Sequence, residues 1–238
     1  MIEIAIVNES TVLTDKEVSA AVPALQRQVS EDFLPVWGID ARLQFVPKSK
    51  KAPADLWWMV LLDDSDQQGA LGYHELTDAG LPLGRVFAKT DRDNGLSWTV
   101  TTSHELLEML ADPDINLGAT VESNAGVTKL YAYEVCDPVE ADELGYEIDK
   151  VLVSNFVTPA WFESFREKGS TPFDHGGVLH EPFALAAGGY CSVLDIGGGQ
   201  WQQVTAEGAP ARNVSVLPGS RRSRRRLSRH DWRVSASG

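Results

Sequence analysis

The sequence predicts an α+β fold, a single domain in which helices pack on a mixed sheet. Three observations point there. Short apolar segments of strand length occur at residues 2–8, 41–46 and 56–62. Apolar residues at helical spacing lie between and after them. No internal repeat or clear linker divides the 238 residues, a length that suits one sizeable core.

Taken in order, residues 2–8 read as a first strand. Thr14-Asp15-Lys16-Glu17 is a capping-box pattern and opens a helix whose Val18, Ala21, Val22, Leu25, Val29 and Phe33 share one face. Pro35 and Gly38 end it. Residues 41–46 alternate as a second strand, and Leu56 to Leu62 form a near-continuous apolar strand suited to the middle of a sheet. The Gly- and Pro-punctuated segment 70–89 reads as one irregular edge strand. Ser97 opens a second helix over residues 97–111, stopped by Pro113. Residues 129–139 and 146–157 read as two strands joined by an acidic turn, and a last strand falls near 191–204. Gly197-Gly198-Gly199 is read as a hairpin turn, since no Lys-Ser/Thr follows to complete a phosphate loop.

Composition is ordinary for a globular chain, with 43% hydrophobic and 23% charged residues. No apolar run approaches the roughly 18 residues of a membrane span. The start, MIEIAIVNES, lacks a basic n-region, so a cytoplasmic location is expected. The net charge is −13, yet residues 221–233 hold seven Arg against one Asp, which leaves −19 on the rest. So acidic a body opposes nucleic acid and suits cations. The expected division is a domain over residues 1–217 and a basic, disordered tail over 218–238. Cys136 and Cys191 are expected as two reduced, buried thiols.

The chemistry concentrates in Ser103-His104-Glu105-Leu106-Leu107-Glu108-Met109-Leu110-Ala111-Asp112. At about 100° per residue, His104 and Glu108 lie about 40° apart on adjacent turns and can address one ion. Glu105 lies about a quarter-turn from His104, within reach of a water on that ion, and Leu106, Leu107 and Leu110 anchor the opposite side. Imidazole and carboxylate are zinc ligands. The alternative for the same pattern is an acidic, solvent-facing helix surface.

His-Glu-x-x-Glu resembles the His-Glu-x-x-His helix of the zincin metallopeptidases, with Glu108 in place of the second His. The motif match spans five residues, and the order of elements agrees over roughly residues 1–160. The resemblance implies a zincin-like domain and a Zn2+-dependent hydrolase, a peptidase in which Glu105 is the general base and peptide or protein substrate lies along the edge strand. The rival reading is a catalytically silent metal-binding or interaction protein on the same scaffold. A third ligand is required; Glu134 and Asp137 are the leading choices, and Glu134 is the favoured one. Strand alternation sends these two to opposite faces unless Pro138 intervenes. Asp112 and Asp114 remain alternatives. His74-Glu75-Leu76-Thr77-Asp78 fits a similar pattern but lacks a helix, so His74 is read as a loop or edge-strand residue, with contact to the site as the alternative because the edge strand runs near the cleft. His175 and His180 are secondary ligand choices, and Tyr190 is a possible oxyanion-side donor.

Overall fold

The computed structural model describes residues 1–67, 70–122 and 126–206. Its α+β architecture rests on a five-stranded sheet formed from β1 (Ile2–Asn8), β2 (Ala41–Val46), β3 (Trp57–Leu62), β4 (Gly72–Leu76) and β5 (Pro82–Phe87). The strand order is β2-β1-β3-β5-β4, and only β4, at the edge, runs antiparallel to its neighbour. Each parallel crossover needs a covering element, and α1 (Asp15–Arg27) supplies the first.

The capping box forms as read from the sequence. Glu17 N donates to Thr14 Oγ1 at 3.2 Å and Thr14 N donates to Glu17 Oε2 at 2.7 Å. Val18, Ala21 and Leu25 are buried below it. The helix then widens into a π-helical segment, Gln28–Phe33, and a final turn, α2 (Leu34–Trp37), closed by Gly38 at φ 71°. The widening turns Gln28 inward, where its Nε2 donates to the Ser154 carbonyl at 2.8 Å and ties the helix to the far side of the core.

The principal core lies between one face of the sheet, α1 and the helix α4 (Trp98–Ala111), which the short α3 (Ala88–Asp93) precedes. Ile4, Ile6, Met59, Leu61 and Val86 of the sheet meet Leu106, Leu107 and Leu110 of α4 there. A smaller cluster of Ala5, Val7, Val46, Val60 and Leu83 occupies the opposite face. With both faces of β1 and β3 covered, their nearly uninterrupted apolar sequences follow directly.

Four elements differ from the sequence reading. Segment 70–89 holds two strands, because Gly80 at φ 80° turns the chain back and leaves β4 outermost with β5 inside. The strand expected at 129–139 stops at Ala132 as β7 (Thr128–Ala132), pairs with β6 (Gly118–Glu122), and gives way to a 3-10 turn at Asp137–Val139, where Pro138 cannot continue a ladder. Segment 146–157 folds on itself as β8 (Tyr146–Ile148) and β9 (Val151–Val153), with Asp149 and Lys150 both at positive φ. The last strand is likewise a hairpin, β10 (Tyr190–Asp195) and β11 (Gln200–Thr205), and Asp195 Oδ1 accepts from Gly197 N and Gly198 N in its turn. Strands β6, β7, β10 and β11 form a second, antiparallel sheet in the order β11-β10-β7-β6. The expected tail, 218–238, and the boundary at 217 lie outside the described residues.

No helix among the described residues is long and apolar enough to cross a membrane.

Asp91 joins α3 to α4. It is fully buried, its Oδ1 accepts from Thr101 Oγ1 at 2.9 Å, and its Oδ2 has no hydrogen-bond partner. Burial pushes its carboxyl up to about 7 against the Thr101 hydrogen bond. The unfolded chain ionises this group near pH 4, so the folded protein holds the extra proton between about pH 4 and 7, and stability falls as pH rises through that window. Asp91→Asn is therefore expected to raise stability by on the order of 1–3 kcal/mol at pH 8 and by clearly less at pH 5. Thermal unfolding at the two pH values checks this, and an equal shift at both contradicts it.

Candidate metal centre

Helix α4 is almost entirely inside the protein; apart from Trp98 and His104, every one of its residues is buried. Its polar groups are consequently bonded inward. Thr102 Oγ1 donates to the Trp98 carbonyl at 2.6 Å, and Ser103 Oγ accepts from Ser154 N at 2.6 Å while donating to the Val100 carbonyl. Ser97 stands at its N-cap, with its N–H donated to Asp142 Oδ2 at 2.8 Å. This packing overturns the solvent-facing alternative, since Glu105 is 7% exposed and Glu108 3%.

His104 and Glu108 converge from adjacent turns, with Nε2 3.4 Å from Glu108 Oε1. Asp137 meets them from the second layer, its Oδ1 3.1 Å from the same nitrogen. The Cys136 backbone N–H donates to Glu108 Oε1 at 3.2 Å and fixes that carboxylate. One ligand atom from each of His104, Glu108 and Asp137 lies within 4.8 Å of the others. A tetrahedral ion with ligands at about 2.0–2.1 Å separates neighbouring ligand atoms by about 3.3–3.4 Å, so the spacing suits a small divalent cation. The donor set, one imidazole and two carboxylates, suits zinc, iron(II) or manganese without selecting one.

Glu134 is buried nearby, and its charge acts on Asp137, but it belongs to neither group of residues able to hold an ion. The sequence favours Glu134, yet it is Asp137 that meets His104, and the reason is the turn. Once Pro138 replaces the strand by a 3-10 turn, Asp137 leaves the alternation that governs extended chain and swings toward α4. Asp112 is buried at the end of α4, where its Oδ1 accepts from Asn116 N and Leu117 N, and Asp114 is exposed. His175 is exposed and stacks between Tyr146 and Phe156; His180 is exposed as well.

His74 comes to the site from β4. It is fully buried, and its Nδ1 lies 3.4 Å from Glu105 Oε2. The strand approaches α4 this closely because position 72 is glycine. A Cβ there would stand 2.8 Å from Glu105 Cγ and 2.9 Å from Thr101 Cγ2. Tyr190 arrives by a similar device, since a Cβ on Gly189 would stand 2.2 Å from the Pro138 carbonyl oxygen. Burial first, then the charges of Asp137, Glu140, Glu134 and Glu108, hold the Tyr190 phenol well above its usual range, so it remains a neutral donor.

Burial alone would lower the His104 imidazolium, but Glu108 and Asp137 more than offset this and hold it well above the usual histidine range. The Asp137 carboxyl is raised by burial and by Glu108 and Glu134. The cluster therefore retains protons that a cation would replace. Cys136 and Cys191 are buried and form no disulfide, and burial pushes the Cys191 thiol up to about 12 and Cys136 higher still.

If Asp137 completes the ligand set, Asp137→Asn should weaken Zn2+ binding by about 10²-fold or more, whereas Glu134→Gln should change it by less than about tenfold. Competition against a chromogenic chelator measures both. The reverse order would make Glu134 the ligand.

No protein-family model, curated protein or solved structure matches this chain.

Proposed function

We propose that the protein is a metal-dependent hydrolase of the zincin kind, acting on peptide bonds. The observation that carries the reading is the buried convergence of His104 and Glu108 from one helix with Asp137, beside a carboxylate, Glu105, on the same helix. A divalent ion held by the first three supplies a Lewis acid that acidifies water at neutral pH. Zinc is the ion that the resemblance to the His-Glu-x-x-His helix implies, and the donor set suits it.

The remaining chemistry belongs to the chain's own groups. Glu105 is placed to accept a proton from the attacking water as its oxygen bonds to the carbonyl carbon. It then returns that proton to the amine nitrogen as the carbon–nitrogen bond breaks, so the carboxylate is regenerated. Tyr190, kept protonated by its surroundings, is the proposed donor to the developing oxyanion.

The sheet supports the choice of an extended substrate. Strand β4 lies at the edge of the sheet and pairs only with β5 among the described residues. The Phe87 N to Leu71 O and Thr77 N to Leu81 O bonds direct residues 71, 73, 75 and 77 toward β5. Gly72 and Leu76 consequently direct their backbone groups outward, a row suited to adding one more strand. The strand lies against the face of α4 that bears Glu105.

Glu105→Gln keeps the size of the side chain and removes its basicity. It is expected to cut casein hydrolysis by about 10²-fold or more while the ion at His104, Glu108 and Asp137 is retained. Hydrolysis at the wild-type rate in the variant contradicts the proposed mechanism, and a wild-type protein that holds the ion but cleaves no peptide favours the silent binding protein.

A further inference from the structure

A second trio of ligands adjoins the first. One ligand atom from each of His74, Glu105 and Glu108 lies within 4.8 Å of the others, and all three residues are buried. The trio shares Glu108 with the group formed by His104, Glu108 and Asp137. We propose that the cluster takes two divalent cations, the second held by His74 and Glu105, with the Glu108 carboxylate shared between the two sites. This rests on the reading of His104, Glu108 and Asp137 as an ion site.

Geometry and charge both favour it. His74 Nδ1 and Glu105 Oε2 stand 3.4 Å apart, the same spacing that His104 Nε2 keeps from Glu108 Oε1. Both separations match the edge of a coordination tetrahedron with ligands at about 2.0–2.1 Å. Glu105 and Glu108 are three residues apart on α4, so their carboxylates rise on the same side of the helix. Two carboxylates brought together in a buried setting repel one another, and a cation between them removes the repulsion. Asp137 adds a third carboxylate to the cluster. Three carboxylates exceed what one divalent ion neutralises, and a second ion meets the excess. A carboxylate with two oxygens can bind one ion on each, and paired ions about 3.5–4 Å apart are a common hydrolytic arrangement. His74 reaches Glu105 only because Gly72 lets β4 lie against α4.

The second ion has a consequence for turnover. Its ligand Glu105 is the carboxylate assigned to accept the proton, and a carboxylate bound to a cation is a poorer base. One ion per chain should therefore give the most active form, and activity should fall as the second site fills.

Mn2+ titration of the full chain, with metal counted by elemental analysis after equilibrium dialysis and the bound ions observed by electron paramagnetic resonance, tests the proposal. The expected result is two ions per chain and a spin-coupled signal that appears only past one equivalent. His74→Ala and, as a more conservative change, Glu105→Gln should each lose the second ion, or weaken it by about tenfold or more, while keeping the first. One ion per chain in the wild type overturns the second site and leaves the first standing. Two uncoupled ions that both survive Glu105→Gln also overturn it, because the second then lies elsewhere. No bound ion overturns the second site together with the hydrolase reading on which it rests.

Discussion

Everything distinctive about this protein depends on one costly act, the burial of the acidic side of α4. Ionised carboxylates lose several kcal/mol of hydration when withdrawn from water, and the loss must be compensated locally by partners or by protons. Glu108 is 3% exposed and Asp137 2%, and His104 is the one cationic side chain that pairs with either among the described residues. Hydrophobic packing by Leu106, Leu107 and Leu110 on the other side of α4 holds the helix in place despite this cost. A structure that needed only a core helix would do better with apolar residues at 105 and 108. The acids are explained when the compensating charge is a cation that the fold itself does not encode.

The surrounding architecture serves that arrangement. The parallel strands β2, β1 and β3 build a rigid platform, while β4, reversed at the edge, brings His74 to Glu105. The second layer contributes Asp137 through a proline-initiated turn and Tyr190 through a glycine that tolerates the Pro138 carbonyl. Residues from four separated segments thus meet at one helix. Long-range convergence of this type restricts where insertions and substitutions can be tolerated, because each approach is set by a close backbone contact instead of by flexible side chains.

The parts of this that sequence reveals are those governed by local rules. The capping box at Thr14, the stop at Gly38, the buried character of β3 and the span of α4 follow from residues a few positions apart, and each appears where the pattern places it. The pairing of His104 with Glu108 is equally local, being fixed by helical spacing. What escapes are features decided at a distance or by a single break in periodicity. Gly80 turns an apparent edge strand into two, and Asp149 and Lys150 do the same further on. The sequence favours Glu134 as the third ligand, whereas Pro138 takes Asp137 out of strand alternation and Asp137 is the acid that meets His104. His74 lies 31 residues from Glu105 in the chain, and only the close approach permitted by Gly72 brings them together. The position of His74 on an edge strand beside the cleft is legible in the sequence; the contact with Glu105, which depends on Gly72, is not.

The central claim is that His104, Glu108 and Asp137 hold a divalent ion. It is tested most directly by crystals of the full chain grown with Zn2+, with anomalous difference density recorded on both sides of the zinc absorption edge. The account predicts a peak bonded to His104 Nε2 and to the carboxylates of Glu108 and Asp137 at about 2.0–2.2 Å. An empty cluster in zinc-saturated crystals, with His104 still hydrogen-bonded to Asp137, would contradict it.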